Sequence, residues 1–273
     1  MNFPSCRAGG FRPIKSLGQS FLIWEPVADA LIDALELKEG DTVLEIGPGK
    51  GILTRRLVKK CRAVIAVEID SRLVRLLQEE LAQAENFKII QADFKKFDLK
   101  QFKGLKIIGD LPYNISSPVL YKLLDSPDSW QRAVLTTQRE FAERLTARPG
   151  TKAYGFLTLL CEYLCETRRL FNIPARFFKP SPKVTSTALV LVRRPMPKIS
   201  VPDRQVLLKL LRAAFTPQPR KKLLNNLALN LGIDKEKLNR TFTELNLPLN
   251  SRANEFTLEE FALLTQALFP ARQ

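Results

Sequence analysis

The sequence predicts an α/β protein: a Rossmann-like domain on a mostly parallel seven-stranded sheet, followed by a small all-α domain. Three observations carry that expectation. Strand-like apolar runs alternate with helical patterns through the first two thirds of the chain. The first strong strand runs directly into the glycine turn "EIGPGKG". Beyond the basic, proline-rich stretch "RRPMPKISVPD" every pattern is helical.

The elements follow in order. "MNFPSCRAGGFRPIKS" lacks the apolar core of a signal peptide and reads as a flexible basic arm over residues 1–18 of a cytoplasmic protein. No apolar run is long enough to predict a membrane span. Helical spacing runs from about Pro26 to Leu35. Strands are predicted at Thr42–Ile46, in "AVIAVEID" ending at Glu68, in "FKIIQAD", in "LKIIGD" and in "RAVLTTQ". The helices between them are "ILTRRLVKK", the amphipathic "SRLVRLLQEELAQA" with Ser71 as its expected cap, and "SSPVLYKLL". Two late strand candidates, "TRRLFNI" and "STALVLVRR", have no good helix between them and predict a hairpin at one sheet edge. The domain boundary is placed at 198/199, giving a Rossmann-like domain over 19–198 and a helical domain over 199–273.

Net charge is +15 over 273 residues, which points to a polyanionic partner. Histidine is absent, which removes Ser-His-Asp and Cys-His mechanisms. The four cysteines form no CxxC, so a zinc site is not expected, and Cys161 and Cys165 read as core thiols of an apolar helix. No metal is expected, and the default oligomeric state is monomer.

Glycines 47, 49 and 51 let a backbone turn sharply and approach a ligand. Glu68 ends the next strand about 20 residues later, the spacing at which an acid meets ribose hydroxyls. Asp93 ends the third strand, where its carboxylate can accept from an adenine amino group. A dinucleotide fingerprint needs its third glycine one residue later, and Glu45 ahead of the loop would repel a pyrophosphate while suiting an ammonium group. The reading favours S-adenosylmethionine.

"GDLPYN" ends the fourth strand and so belongs at the same sheet edge. The Asp110 side chain and the Leu111 backbone carbonyl can accept the hydrogens of a base amino group as its nitrogen becomes tetrahedral. Pro112 stiffens the turn, and Tyr113 offers a face for stacking an unstacked base.

The pattern [DN]-[LIP]-P-[YF], with "LGQSFL", "LEIGPGKG", "VEID", "QREFAERL", "KAYGFLTLL", "FFKPSPKVTS" and "RAAFTPQPRKKLLNNL", resembles the ribosomal RNA adenine N6-dimethyltransferases, specifically the bacterial small-subunit (16S) group. The resemblance runs from about Lys15 to Leu268. It implies dimethylation of two adjacent adenines in a terminal stem-loop of small-subunit RNA, with a pre-assembled small subunit as the substrate. Carried over by motif, Ser20, Leu22, Gly47, Glu68, Asp93 and Asp110 fall at cofactor-contact positions, and Gln19, Glu45, Gly49 and Gly51 join them as cofactor-binding candidates. Tyr113 and Phe178 fall at the positions that sandwich the target base, with Phe177 able to exchange roles with Phe178.

Two departures stand out: the family usually has Asn at Ser20 and at Asp110. The RNA-binding expectation rests on Arg220, Lys221 and Lys222, with Arg7, Arg12, Lys15, Arg193, Arg194, Lys198 and Arg212 as further candidates. Two alternatives stay open. One is a large-subunit adenine methyltransferase of the macrolide-resistance kind; the other is a non-catalytic RNA-binding assembly factor on the same fold.

Overall fold

The computed structural model of the chain describes residues 12–216 and 221–270. In chain order the strands and α-helices are β1 (Phe21–Leu22), α1 (Glu25–Asp33), β2 (Thr42–Ile46), α2 (Thr54–Leu57), β3 (Ala63–Glu68), α3 (Ser71–Glu80), β4 (Phe87–Gln91), β5 (Leu105–Asp110), α4 (Ser116–Asp125), β6 (Trp130–Gln138), α5 (Arg139–Leu145), α6 (Phe156–Leu164), β7 (Cys165–Ile173), β8 (Phe178–Lys179), β9 (Ser186–Arg193), α7 (Arg204–Phe215), α8 (Leu223–Leu231), α9 (Lys235–Glu244) and α10 (Leu258–Leu268). They fall into two compact units. One comprises the chain up to Ala142 together with Arg168–Arg193; the other comprises Glu143–Thr167 and the chain from Arg194.

The first unit is built on a seven-stranded sheet of order β4-β3-β2-β5-β6-β9-β7. The five strands from β4 to β6 pair in parallel, and β9 pairs antiparallel with β6. The two late strands are neighbours at one edge, as the missing intervening helix requires. Val43 and Leu44 of β2 and Ile107 and Ile108 of β5 have no exposed surface. Central parallel strands read as unbroken apolar runs because both of their faces are covered.

Local differences from the sequence reading have simple causes. Asp70, one residue ahead of the expected Ser71, caps α3 and accepts from the Arg72 N–H at 3.0 Å. Either residue type caps well, and the carboxylate sits one position closer to the strand. α3 turns Leu73, Val74 and Leu77 inward. Leu77 packs so tightly on Gly51 that a Cβ there would lie 2.6 Å from the leucine. A two-stranded ribbon of β1 and β8 was not anticipated; it pairs Phe21 with Lys179 and Leu22 with Phe178.

Residues 12–18, expected in the flexible arm, are tied down. Lys15–Leu17 forms a 3-10 turn, the Ile14 N–H donates to the Gln19 side-chain oxygen at 2.7 Å, and the Arg12 carbonyl accepts from Arg72. Arg7 lies outside the described residues.

The second unit is helical. Its members include α6, which precedes the proline-rich stretch where the boundary was placed. The physical reason is burial: Leu157, Leu159 and Leu160 of α6 are buried, as are Leu207, Leu210 and Leu211 of α7 and Phe261 and Leu264 of α10. An apolar helix goes where it buries most surface, whichever side of a linker it lies on. Among the described residues no helix is long and apolar enough to cross a membrane, and no group of three His, Cys, Asp or Glu side chains is placed to hold a metal ion.

Candidate active site

The carboxyl ends of β2, β3, β4 and β5 meet in a cavity of about 200 Å³. Open parallel sheets bind ligands at this edge. Gly47, Gly49, Glu68, Asp93, Asp110, Gln19, Ser20 and Leu22 all line it, so the structure gathers most of the expected cofactor residues from five separate segments.

Gly47 and Gly49 have φ of +66° and +57°, a left-handed backbone that glycine adopts without strain. A Cβ on Gly47 would meet nothing within 4 Å, so this glycine leaves its side of the cavity open. A Cβ on Gly49 would lie 2.9 Å from the Phe21 ring, which closes over the loop.

Glu68 is 6% exposed. One of its oxygens accepts from the Ile69 and Asp70 N–H groups at 2.8 and 2.9 Å, and the other accepts from the Gly49 N–H at 3.3 Å. It therefore ties the glycine loop to the end of β3. Burial raises its carboxyl above the usual range, against those three bonds. The Asp93 carboxylate accepts from the Lys95 N–H at 2.9 Å and remains partly exposed.

Asp110 is the most isolated acid of the site. Its carboxyl is pushed up to about 7 by burial, opposed by the bond it accepts from the Leu22 N–H. Leu22 thus serves through its backbone, while its side chain packs in the core. Gly109 makes the position possible, since a Cβ there would lie 3.0 Å from the Ile46 carbonyl oxygen. Pro112 lines the cavity. Leu111 is buried and donates its N–H to the Thr136 carbonyl at 3.2 Å. Tyr113 begins a 3-10 turn, and its hydroxyl shares a 2.8 Å hydrogen bond with Ser186 Oγ.

Some expected residues take other parts. Glu45 is 1% exposed and does not line the cavity. It accepts from the Thr54 hydroxyl at 2.7 Å, and its other oxygen has no partner. Burial pushes its carboxyl up to about 8, so at neutral pH it holds a proton and offers no charge to an ammonium group. Gly51 is a packing glycine under Leu77 and does not line the cavity.

Phe178 is 5% exposed and belongs to the core cluster with Leu22, Val134 and Ile173. Its pairing with Leu22 across the ribbon directs it inward, so no open sandwich with Tyr113 is formed. Phe177 is no substitute, being stacked on Trp24. Gln19 lines the cavity, but its amide donates to Asp70 at 2.8 Å and its oxygen accepts from Ile14. The Arg72 guanidinium, helped by Gln19, holds the Asp70 carboxyl down at about 2. The hydroxyl of Ser20 donates to the Pro180 carbonyl at 2.7 Å.

Sequence reasoning missed the apolar walls. Ile69 and Phe94, each directly after a strand-end acid, line the cavity, as do Phe21 and Asn114. The sequence shows only that an isoleucine follows the strand-end Glu68; its 46% exposure, which marks it as an apolar side chain with no core to fill, is seen only in the fold.

The buried Glu45 yields a stability prediction. The fold holds a proton that the unfolded chain releases above its ordinary value, so this contribution is complete at low pH and is lost as pH rises through about 8. Glu45→Gln keeps the acceptor for Thr54 and cannot ionise. Its Tm should exceed wild type by about 2–10 °C at pH 8.5 and converge with it near pH 5, measured by thermal unfolding.

Comparison with known proteins agrees with this geometry. The ribosomal RNA small subunit methyltransferase A of Bacillus cytotoxicus is 38% identical over 272 residues, covering 96% of this chain and 93% of that protein. Its counterpart in Bacillus mycoides is 38% identical over 270 residues, covering 95% and 92%. Among solved structures, a dimethyladenosine transferase from Plasmodium falciparum superposes with a TM-score of 0.78 at 26% identity, covering 89% of this chain and 95% of that one. A 23S rRNA methyltransferase, ErmE, gives 0.72 at 27% identity, covering 91% and 99%. The profile of the family described as ribosomal RNA adenine dimethylase matches residues 10–266. A match of that span, with relatives so similar along nearly their whole length, shows that the chain belongs to the ribosomal RNA adenine dimethylase family.

Proposed function

We propose that this protein transfers methyl groups from S-adenosylmethionine to the N6 atoms of two adjacent adenines in a terminal stem-loop of small-subunit ribosomal RNA. One observation carries the reading beyond family membership. A half-buried, weakly partnered carboxylate, Asp110, stands at the edge of a cavity whose other acids are Glu68 and Asp93. The curated relatives named above are small-subunit enzymes, which favours this reading over a large-subunit target.

The residues fit the cofactor. Gly47 leaves room where a Cβ would project, Glu68 and Asp93 present acceptors at successive strand ends, and Ile69 and Phe94 provide apolar surface for a flat ring. S-Adenosylmethionine, when bound, supplies an electrophilic methyl carbon. The chain's own part is to orient the amino group and accept from it. Ionised Asp110 and the Leu111 carbonyl draw on the two amino hydrogens, favouring the tetrahedral nitrogen over the planar one. Leu22 holds Asp110 in place through its N–H. Tyr113, fixed by Ser186, is positioned to stack the extruded base.

The direct test uses labelled S-adenosylmethionine and small subunits lacking the modification, followed by nucleoside analysis. Label in N6,N6-dimethyladenosine is expected. An unlabelled RNA that is nonetheless bound tightly would replace this reading with that of an assembly factor.

For the RNA surface we propose the helical unit. Lys221, Lys222, Lys235 and Arg252 line a shallow cleft with Asn225 and Asn250 and no acid. Lys222 donates to Asn250 at 2.6 Å, which keeps its charge at the rim. Arg220, the remaining member of the expected cluster, lies outside the described residues. The linker cations are left out of this proposal because each already has an acid beside it. Arg193 pairs with Asp128 at 3.0 Å, Arg194 with Glu166 at 3.1 Å and Lys198 with Glu259 at 2.8 Å. Arg212 lies over the Phe156 ring. Replacing Lys221, Lys222 and Arg252 by Gln should lower the slope of log affinity against log salt by about 2–3, read by filter binding across a salt series.

A further inference from the structure

A small aromatic ladder extends from the β1/β8 ribbon: Phe177 packs against the core, while Trp24 on its outer side belongs to neither the core cluster nor the cavity lining. Trp24 is 48% exposed, yet its indole is not loose. It stacks on Phe177 with ring centroids 5.0 Å apart and planes within 6°. The Arg176 guanidinium carbon lies 5.1 Å from the Phe177 ring centroid. The Ile23 N–H donates to the Phe177 carbonyl at 2.9 Å, so the backbone itself holds the two rings in register. Ile23 beside them is 50% exposed. A large ring fixed in one orientation, with about half its surface left in water, is a preformed stacking face.

The ladder is tied to the reaction site through the main chain. Leu22, two residues before Trp24, gives its N–H to Asp110. Two extended residues span about 7 Å, a distance comparable to the reach between neighbouring nucleotides. Phe177, whose ring stacks on Trp24, directly precedes Phe178, the partner of Leu22 in the ribbon. The surroundings favour an anionic strand. Lys179 and Lys183 are exposed on the segment that follows Phe177. The nearby acids Glu25 and Asp29 are both engaged by Arg56, at 3.2 and 2.7 Å.

We propose that Trp24, braced by Phe177 and Arg176, stacks the unpaired base next to the target adenine and thereby sets the register of the RNA loop on the enzyme. This rests on the reading of the substrate as an RNA adenine. A base is the occupant that a single flat, rigid face beside cations recognises, and a stem-loop presents unpaired bases for such a face. Trp24 is then a positioning residue: it fixes which nucleotide reaches Asp110 and does not touch the reacting nitrogen.

The protein contains its own reporter. Of its two tryptophans, Trp130 is 1% exposed, so quenching of emission by RNA reads Trp24. The probe is a short RNA stem-loop with an unpaired purine loop, titrated without cofactor. Wild type is expected to show saturable quenching, Trp24→Phe none, and an abasic substitution beside the target adenine should abolish it in wild type. In methyl transfer to small subunits, Trp24→Ala should raise KM about 5–50-fold with kcat within about twofold, and Trp24→Phe should restore most of the loss. Active wild type with no quenching and an unchanged KM in Trp24→Ala would overturn the proposal. Wild type that is quenched by RNA but transfers no methyl group would overturn the reading of the reaction, while supporting Trp24 as a base-stacking face.

Discussion

Asp110→Ala is expected to lower kcat by about 10²–10³-fold while leaving RNA affinity within about twofold, because it removes an acceptor that matters as the amino nitrogen becomes tetrahedral. The measurement is single-turnover methyl transfer alongside filter binding. Asp110→Asn separates two ways of being an acceptor. An amide oxygen can accept from the amino group as a carboxylate does, so much of the rate should survive. What should change is the pH profile. The wild-type carboxyl, held up at about 7 by burial, accepts most strongly when ionised, so wild-type activity should rise through pH 7 and level off above it. The amide does not titrate, so that limb should be absent from Asp110→Asn.

Stability runs the other way. The folded chain keeps a proton on Asp110 that the unfolded chain releases near pH 4, so this contribution is complete below that pH and is lost as pH rises through about 7. Asp110→Asn should therefore gain stability on wild type as pH climbs. A variant that loses rate yet keeps the limb at pH 7 would assign the titration to another group.

The fold was legible because its signals are periodic. Alternating strands and helices, a glycine turn after the first strand and acids at successive strand ends all recur at fixed spacings, and parallel sheets gather strand ends at one edge. The same logic placed Gly47, Glu68, Asp93 and Asp110 around one cavity. What could not be read is which way a side chain faces near a loop. Glu45 and Glu68 look equivalent in sequence, yet Glu45 faces Thr54 beneath the loop and Glu68 faces the cavity. Phe177 and Phe178 are adjacent and chemically identical, and a two-residue strand decides which one enters the core. Such short pairings depend on contacts about 150 residues apart and leave no local pattern.

The glycine loop offers the sharpest separation between binding and folding. Gly47→Ala adds a methyl group where nothing stands within 4 Å, on a glycine that lines the cavity. Its φ of +66° imposes about 1 kcal/mol of left-handed strain on alanine, which the fold can absorb. The methyl group, however, takes up space the cofactor needs. Affinity for S-adenosylmethionine, measured by calorimetry, should fall about 10–100-fold with Tm lowered by only a few degrees. Gly51→Ala should do the reverse. Its added carbon would lie 2.6 Å from Leu77 Cδ2, with φ at +79°. Strain and overpacking together should cost about 2–4 kcal/mol of stability, and cofactor affinity should fall less than in Gly47→Ala. The two substitutions are chemically identical and four residues apart, so propensity alone would rank them together. If both variants lost affinity and stability in the same proportion, the loop would be acting as one rigid piece, and Gly47 would have no separate part in holding the cofactor. If they diverge as expected, the first glycine faces the ligand and the third faces the helix, which is the division of labour the backbone geometry already implies.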